Sequence, residues 1–143
     1  DYLQPLDTRA FKIGMIYAFT EAVASGCKPL SFSPPLEPDE YVDALRAALL
    51  IADEYGTVAE GEDEPLQTVL FNPEFTRGKM LVLMAAGPQV LDSYHALKAR
   101  KRALSSLAAE VRRAEEEEIG RTLGHLLGYS DQVIEGLLRK PRF

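Results

Sequence analysis

The sequence predicts an α+β (or α/β) domain in which a small sheet of three or four short strands is packed by helices and followed by a helical C-terminal third. Three observations point there. The run Lys79-Met80-Leu81-Val82-Leu83-Met84-Ala85-Ala86 is strongly apolar, has strand length and is cut off by Gly87-Pro88. Two segments ahead of it carry apolar residues at helical spacing between Pro and Gly boundaries. After Pro88 that spacing continues for some thirty residues. The length of 143 residues, 46% of them hydrophobic, supports one domain that buries roughly two thirds of its unfolded surface. An arm over 1–7, a core over 8–87 and a helical region over 88–143 make up that domain.

In chain order, residues 1–7 have no periodicity and contain Pro5, which predicts a surface arm. The spacing then predicts a helix from Thr8, as N-cap, to Ser25, ended by Gly26. Its apolar residues, among them Phe11, Ile13, Ile16, Tyr17, Phe19 and Val23, cover nearly the whole circumference. Such a helix is central to the domain or is buried on a second side by another subunit. Glu21 stands out among Ala10, Gly14 and Tyr17. Two readings fit it: a buried acid with a raised pKa, or a carboxylate at the rim paired with a cation such as Lys28.

The segment from Cys27 to Pro35 alternates Lys28, Leu30, Ser31, Phe32 and Ser33 between prolines and reads as an edge strand over 29–33. Lys28 and the hydroxyls could line a small anion pocket or face water. Cys27 has a lysine beside it but no nearby histidine to activate it, and reads as an ordinary small residue. A second helix begins at Pro38 with Asp39 and Glu40 in its first turn and ends at Gly56. Tyr41, Val42, Leu45, Ala48, Leu49 and Ala52 form its packing stripe.

β-Type patterning returns at 57–60 and 66–71, separated by the acidic stretch Glu60-Gly61-Glu62-Asp63-Glu64-Pro65, which predicts a hairpin with a solvated loop. The acidic stretch lacks the ligand positions of a calcium-binding loop. The run 79–86 is apolar on both faces and is expected at the centre of the sheet. Gly87-Pro88 at a helix start offers little for a phosphate, because there is one glycine and proline removes a donor.

Beyond Pro88 a single helix over 88–118 would measure roughly 45 Å, longer than so small a domain can cover, so it must project or break near Ser105-Ser106. It carries a basic block, Lys98 to Arg102, and an acidic block, Glu115 to Glu118. An antiparallel homodimer crossing near Leu107-Ala108 would lay one block on the other, with Leu97, Lys101, Leu104, Ala108, Val111 and Glu115 at the seam. A hairpin within one chain would use the same charges.

Gly120, Gly124 and Gly128, four apart, make a smooth helix face for a close neighbour. Ser130 then caps a last helix from Asp131 to Arg139. The phrase Leu127-Gly128-Tyr129-Ser130, followed by Val133-Ile134 and Leu137-Leu138, resembles the short helix of ubiquitin-associated domains and the tails of some coenzyme A transferases. That resemblance covers about a dozen residues, reflects a shared capping solution and carries no function with it.

Functional classes narrow accordingly. A net charge of −6 argues against a general nucleic-acid binder, and Tyr94 is the sole aromatic residue near the basic block. One cysteine, no signal-peptide pattern and no long apolar run predict a cytoplasmic protein outside the membrane. The chain opens on Asp1 and not Met, so a start removed either by an artificial boundary or by processing is expected. His95 and His125 with Asp92 and Glu118 lack the paired Glu-x-x-His pattern of a bundle metal site, and no cofactor motif is present. The leading expectation is a non-catalytic, oligomerising or adaptor-like domain that uses helix 88–118 as its partner surface. The other is a small-molecule binder or enzyme with a pocket around Glu21, Lys28 and Ser33.

Overall fold

The computed structural model describes residues 7–141, so the arm expected over residues 1–7 lies, apart from Asp7, outside the described part. The fold is α+β: five helices and a three-stranded antiparallel sheet, followed by a helical C-terminal region. Helix α1 (Thr8–Ala24) is capped by Asp7, one residue earlier than the expected Thr8. The Asp7 carboxylate accepts from the Arg9 and Ala10 amides at 3.0 and 3.2 Å. Strand β1 (Leu30–Phe32) leads to α2 (Pro38–Tyr55), which starts on proline and ends on Gly56 at φ 71°. Strand β2 (Val58–Glu62) follows, and the chain returns through residues 63–80 to β3 (Leu81–Ala85).

The sheet order is β1-β3-β2, with both outer strands antiparallel to β3. β1 and β2 are therefore parallel to one another, and α2 carries the chain from one edge to the other, a split βαβ arrangement. Every residue of β3 is buried because helices cover both faces. Val82 and Met84 pack with Ile16 of α1 and Ala44, Ala48 and Ile51 of α2. Leu83 and Ala85 point the other way, into Val90, Tyr94, Leu97, Ile119 and Leu123. The two-residue period of a strand thus supplies two cores. Residues 66–71, expected as a strand, form no ladder; Leu70 is instead buried against Ile134 and Leu137.

The helical pattern after Pro88 is not one helix. Helix α3 (Pro88–Ala103) ends in a short 3₁₀ turn over Leu104–Ser106, and α4 (Ala109–Leu126) folds back along it. The break falls at Ser105 and Ser106, whose hydroxyls donate to the carbonyls of Arg102 and Ala103 at 3.3 and 2.9 Å and so serve the open end of α3. The basic and acidic blocks meet within the chain, Arg100 with Glu115 at 3.1 Å and Lys101 with Glu116 at 3.0 Å. Pairs this exposed contribute about 0–1 kcal/mol each, so the hairpin rests on buried Leu97, Leu104, Ile119 and Leu123.

Helix α5 (Asp131–Arg139) is capped by Ser130, which accepts from the Val133 amide at 3.3 Å. It sits close on α4: a Cβ added at Gly124 would lie 2.7 Å from Ile134 Cγ1. Among the described residues no helix is long and apolar enough to cross a membrane.

Candidate ligand-binding cleft

β1 is an edge strand, and its free edge borders a cleft of about 270 Å³. The end of α1 supplies one wall with Phe19. After Gly26, at φ 86°, the chain turns and places Lys28 at the mouth of β1. The opposite wall comes from the 63–80 connection, through Leu66, Phe71 and Phe75, and the α4–α5 turn adds Leu127 and Tyr129.

The connection is held in place by a buried polar network. Glu62, at the end of β2, is 5% exposed; it accepts from Tyr94 Oη at 2.7 Å and takes Lys98 Nζ on both oxygens at 2.9 Å. Tyr94 Oη in turn accepts from the Leu66 amide at 3.1 Å, which anchors the start of the cleft wall. Burial first, and then the bond to Glu62, hold the Tyr94 phenol well above its ordinary pKa. Further along, Gln67 Nε2 donates to Thr76 Oγ1 at 2.9 Å and ties the two ends of the connection together. The acidic stretch is therefore not wholly solvated, and Glu62 is the residue that departs from that expectation. A signal for it existed in Tyr94 and Lys98, one turn apart on a single helix face and both needing a partner inside.

The cleft's own chemistry centres on Lys28 and the serines of the β1 segment. The Lys28 ammonium lies 5.3 Å from the centre of the Phe19 ring, a cation–π placement. Burial lowers its pKa below the ordinary lysine value, partly countered by the nearby Cys27 thiol. Among the described residues no carboxylate stands within 4.0 Å of it, in contrast to Lys12, Lys98 and Lys101. Ser33 lines the cleft, but its hydroxyl is already used: it donates to the Pro34 carbonyl and accepts from the Val82 amide, both at 2.9 Å. Ser31 is different. It is 2% exposed and lines the cleft, and its hydroxyl has no hydrogen-bond partner among the described residues.

The β1 register adds a main-chain element. Ser33 N donates to Val82 O and Ala86 N to Pro29 O, so alternation makes Ser31 and Met84 the hydrogen-bonded pair between them. Leu30 and Phe32 consequently turn their N–H and C=O groups away from β3, toward the free edge.

Of the residues expected at a pocket, Lys28 and Ser33 come together here, whereas Glu21 is exposed and does not line the cleft. Its charge instead acts on Tyr55, whose phenol is pushed up to about 12, chiefly by its hydrogen bond with Tyr17. Of the residues expected at a dimer seam, Leu97 and Leu104 are buried within the domain, Lys101 and Glu115 are paired within the chain, and Ala108 and Val111 are exposed. His95 pairs with Glu60 at 2.6 Å and His125 with Asp131 at 2.7 Å. Among the described residues no three His, Cys, Asp or Glu side chains converge as metal ligands. Comparison with known protein families, curated proteins and solved structures returns no match.

Proposed function

We propose that this chain is a non-catalytic binding domain and that the cleft beside β1 holds a small, mainly apolar ligand. The observation that carries this reading is Ser31, 2% exposed, whose hydroxyl keeps a small solvent-accessible face and has no partner among the described residues, in the lining of a cleft walled in large part by Phe19, Phe32, Leu66, Phe71 and Leu127. A hydroxyl left open at the lining of a largely apolar cleft is what a ligand's polar atom would complete. The wall is braced by the Glu62–Tyr94–Lys98 network, so the site is largely formed before a ligand arrives. A binding role suits the lining, which pairs no nucleophile with a base.

The test is a fragment titration followed by amide chemical shifts. Binders should move the amides of Ser31, Phe32 and Leu66 together, and Ser31→Leu, which fills the space, should abolish those shifts. Fragments that cluster elsewhere and ignore this substitution would contradict the assignment.

Self-association is a second reading, favoured by a different surface from helix 88–118. On the outer faces of α1 and α2, Phe11, Val42, Leu49 and Leu50 are exposed, Leu50 by 69%. Large apolar residues gathered on helix faces are common at subunit contacts. Light scattering of Leu49→Glu/Leu50→Glu tests it: a dimer should become a monomer, and a wild-type monomer at all concentrations would end this reading.

A further inference from the structure

Resting on the reading of the cleft as a ligand site, we infer that its ligand is a small monoanion with a hydrocarbon body, a monocarboxylate, whose charged end meets Lys28 and Ser31. Lys28 is the sole charged side chain among the described residues that line the cleft. In a chain of net charge −6, a half-buried cation without a carboxylate among the described residues is an unmatched charge, and the group that matches it is an anion. The Phe19 ring contacts the ammonium through its π face and contributes no acceptor, so the N–H groups of Lys28 remain available. Ser31 offers a second donor, since a hydroxyl hydrogen rotates to suit its partner.

The charge count also selects the class of anion. One ammonium beside the Ser31 hydroxyl suits the single charge of a carboxylate, and the other polar lining residues, Ser33, Gln67, Asn72, Thr76 and Tyr129, are uncharged. A dianionic phosphate ester calls for several N–H donors, and neither an arginine nor a glycine-rich turn lines the cleft. Much of the remaining lining is hydrocarbon. Phe32, Leu66, Phe71, Leu81 and Leu127 can cover an alkyl or aryl body, and a volume of about 270 Å³ accommodates one of roughly fatty-acid C8 size. No lining residue offers a carboxylate to a ligand amine, so an amphiphile of opposite charge has nothing to pair with and meets Lys28 as a like charge.

The experiment titrates octanoate, octanamide, octylamine and octyl phosphate into the wild type, Lys28→Met and Ser31→Ala, read by amide shifts at Ser31, Phe32 and Leu66. Octanoate should bind about tenfold more tightly than octanamide, as expected for one charge-assisted contact. Octylamine should leave the cleft amides unmoved. Lys28→Met should erase the octanoate advantage and leave octanamide unchanged, and Ser31→Ala should weaken octanoate about three- to tenfold. Equal binding of octanoate and octanamide, indifference to Lys28→Met, or tighter binding of octyl phosphate would overturn the monocarboxylate assignment while leaving a ligand cleft in place. Failure of every compound to move the cleft amides would overturn both readings.

Discussion

Lys28 and Lys98 flank the two outer strands of one sheet, and each is partly removed from water. Lys98 is bonded to both oxygens of Glu62, which also accepts from Tyr94. Lys28 has only the face of Phe19 and, among the described residues, no carboxylate. The same contrast runs between Ser33, whose hydroxyl is saturated, and Ser31, whose hydroxyl is open. The difference separates structure from site. Where partners come from the chain itself, a buried polar group organises the fold. Where they are missing, the group is left for something else to complete.

The contrast makes predictions of decreasing size. Lys98→Met strands the Glu62 carboxylate and should cost about 3–5 kcal/mol in denaturant unfolding. Tyr94→Phe leaves the Leu66 amide without its acceptor and should cost about 1–3 kcal/mol by the same measurement. Because the folded state holds the Tyr94 phenol above its ordinary value, the unfolded chain loses that proton first and stability falls above about pH 10. Tyr94→Phe should flatten that part of the stability–pH profile.

Gly128→Ala probes the boundary between the two regions. Gly128 sits at φ 81°, and a Cβ there would lie 2.6 Å from Lys28 Cβ. A cost of about 1–2 kcal/mol in thermal or chemical unfolding is expected from the left-handed backbone, together with weakened octanoate binding as Lys28 is displaced. Lys28→Met should have the smallest effect on stability, within about 0.5 kcal/mol of wild type. Wild-type octanoate binding should in turn fade as pH rises through the Lys28 pKa, earlier than for an ordinary lysine because burial lowers that value. An octanoate titration across alkaline pH checks this: affinity that holds up to the ordinary lysine range would contradict it.

Much of the layered core was legible because its signals are local and periodic. The 79–86 run is apolar at every position, so it had to be covered on both faces, and β3 is central. Pro38 and Gly56 bracket α2, and Ser130 caps α5. What was hidden depends on distant partners. Residues 66–71 alternate like a strand, but Leu70 is claimed by α5, and Leu66, Gln67 and Phe71 by the cleft wall. The charge blocks fitted a dimer or a hairpin equally well, and the hairpin seen here is held by Leu97 and Leu104 packing with Ile119 and Leu123 across the break at Ser105 and Ser106. At the cleft, composition marked Lys28 and Ser33 but could not rank Ser31 above Ser33. That ranking requires knowing that Ser33 Oγ meets the Val82 amide, forty-nine residues away.

The central claim, that one lysine is a strut and the other a site, is tested most directly by unfolding the wild type, Lys28→Met and Lys98→Met with and without octanoate. A ligand that binds only the folded form raises stability. Octanoate should therefore raise the unfolding midpoints of the wild type and of the weakened Lys98→Met protein while leaving Lys28→Met where it was. An equal rise for Lys28→Met and wild type would contradict the claim.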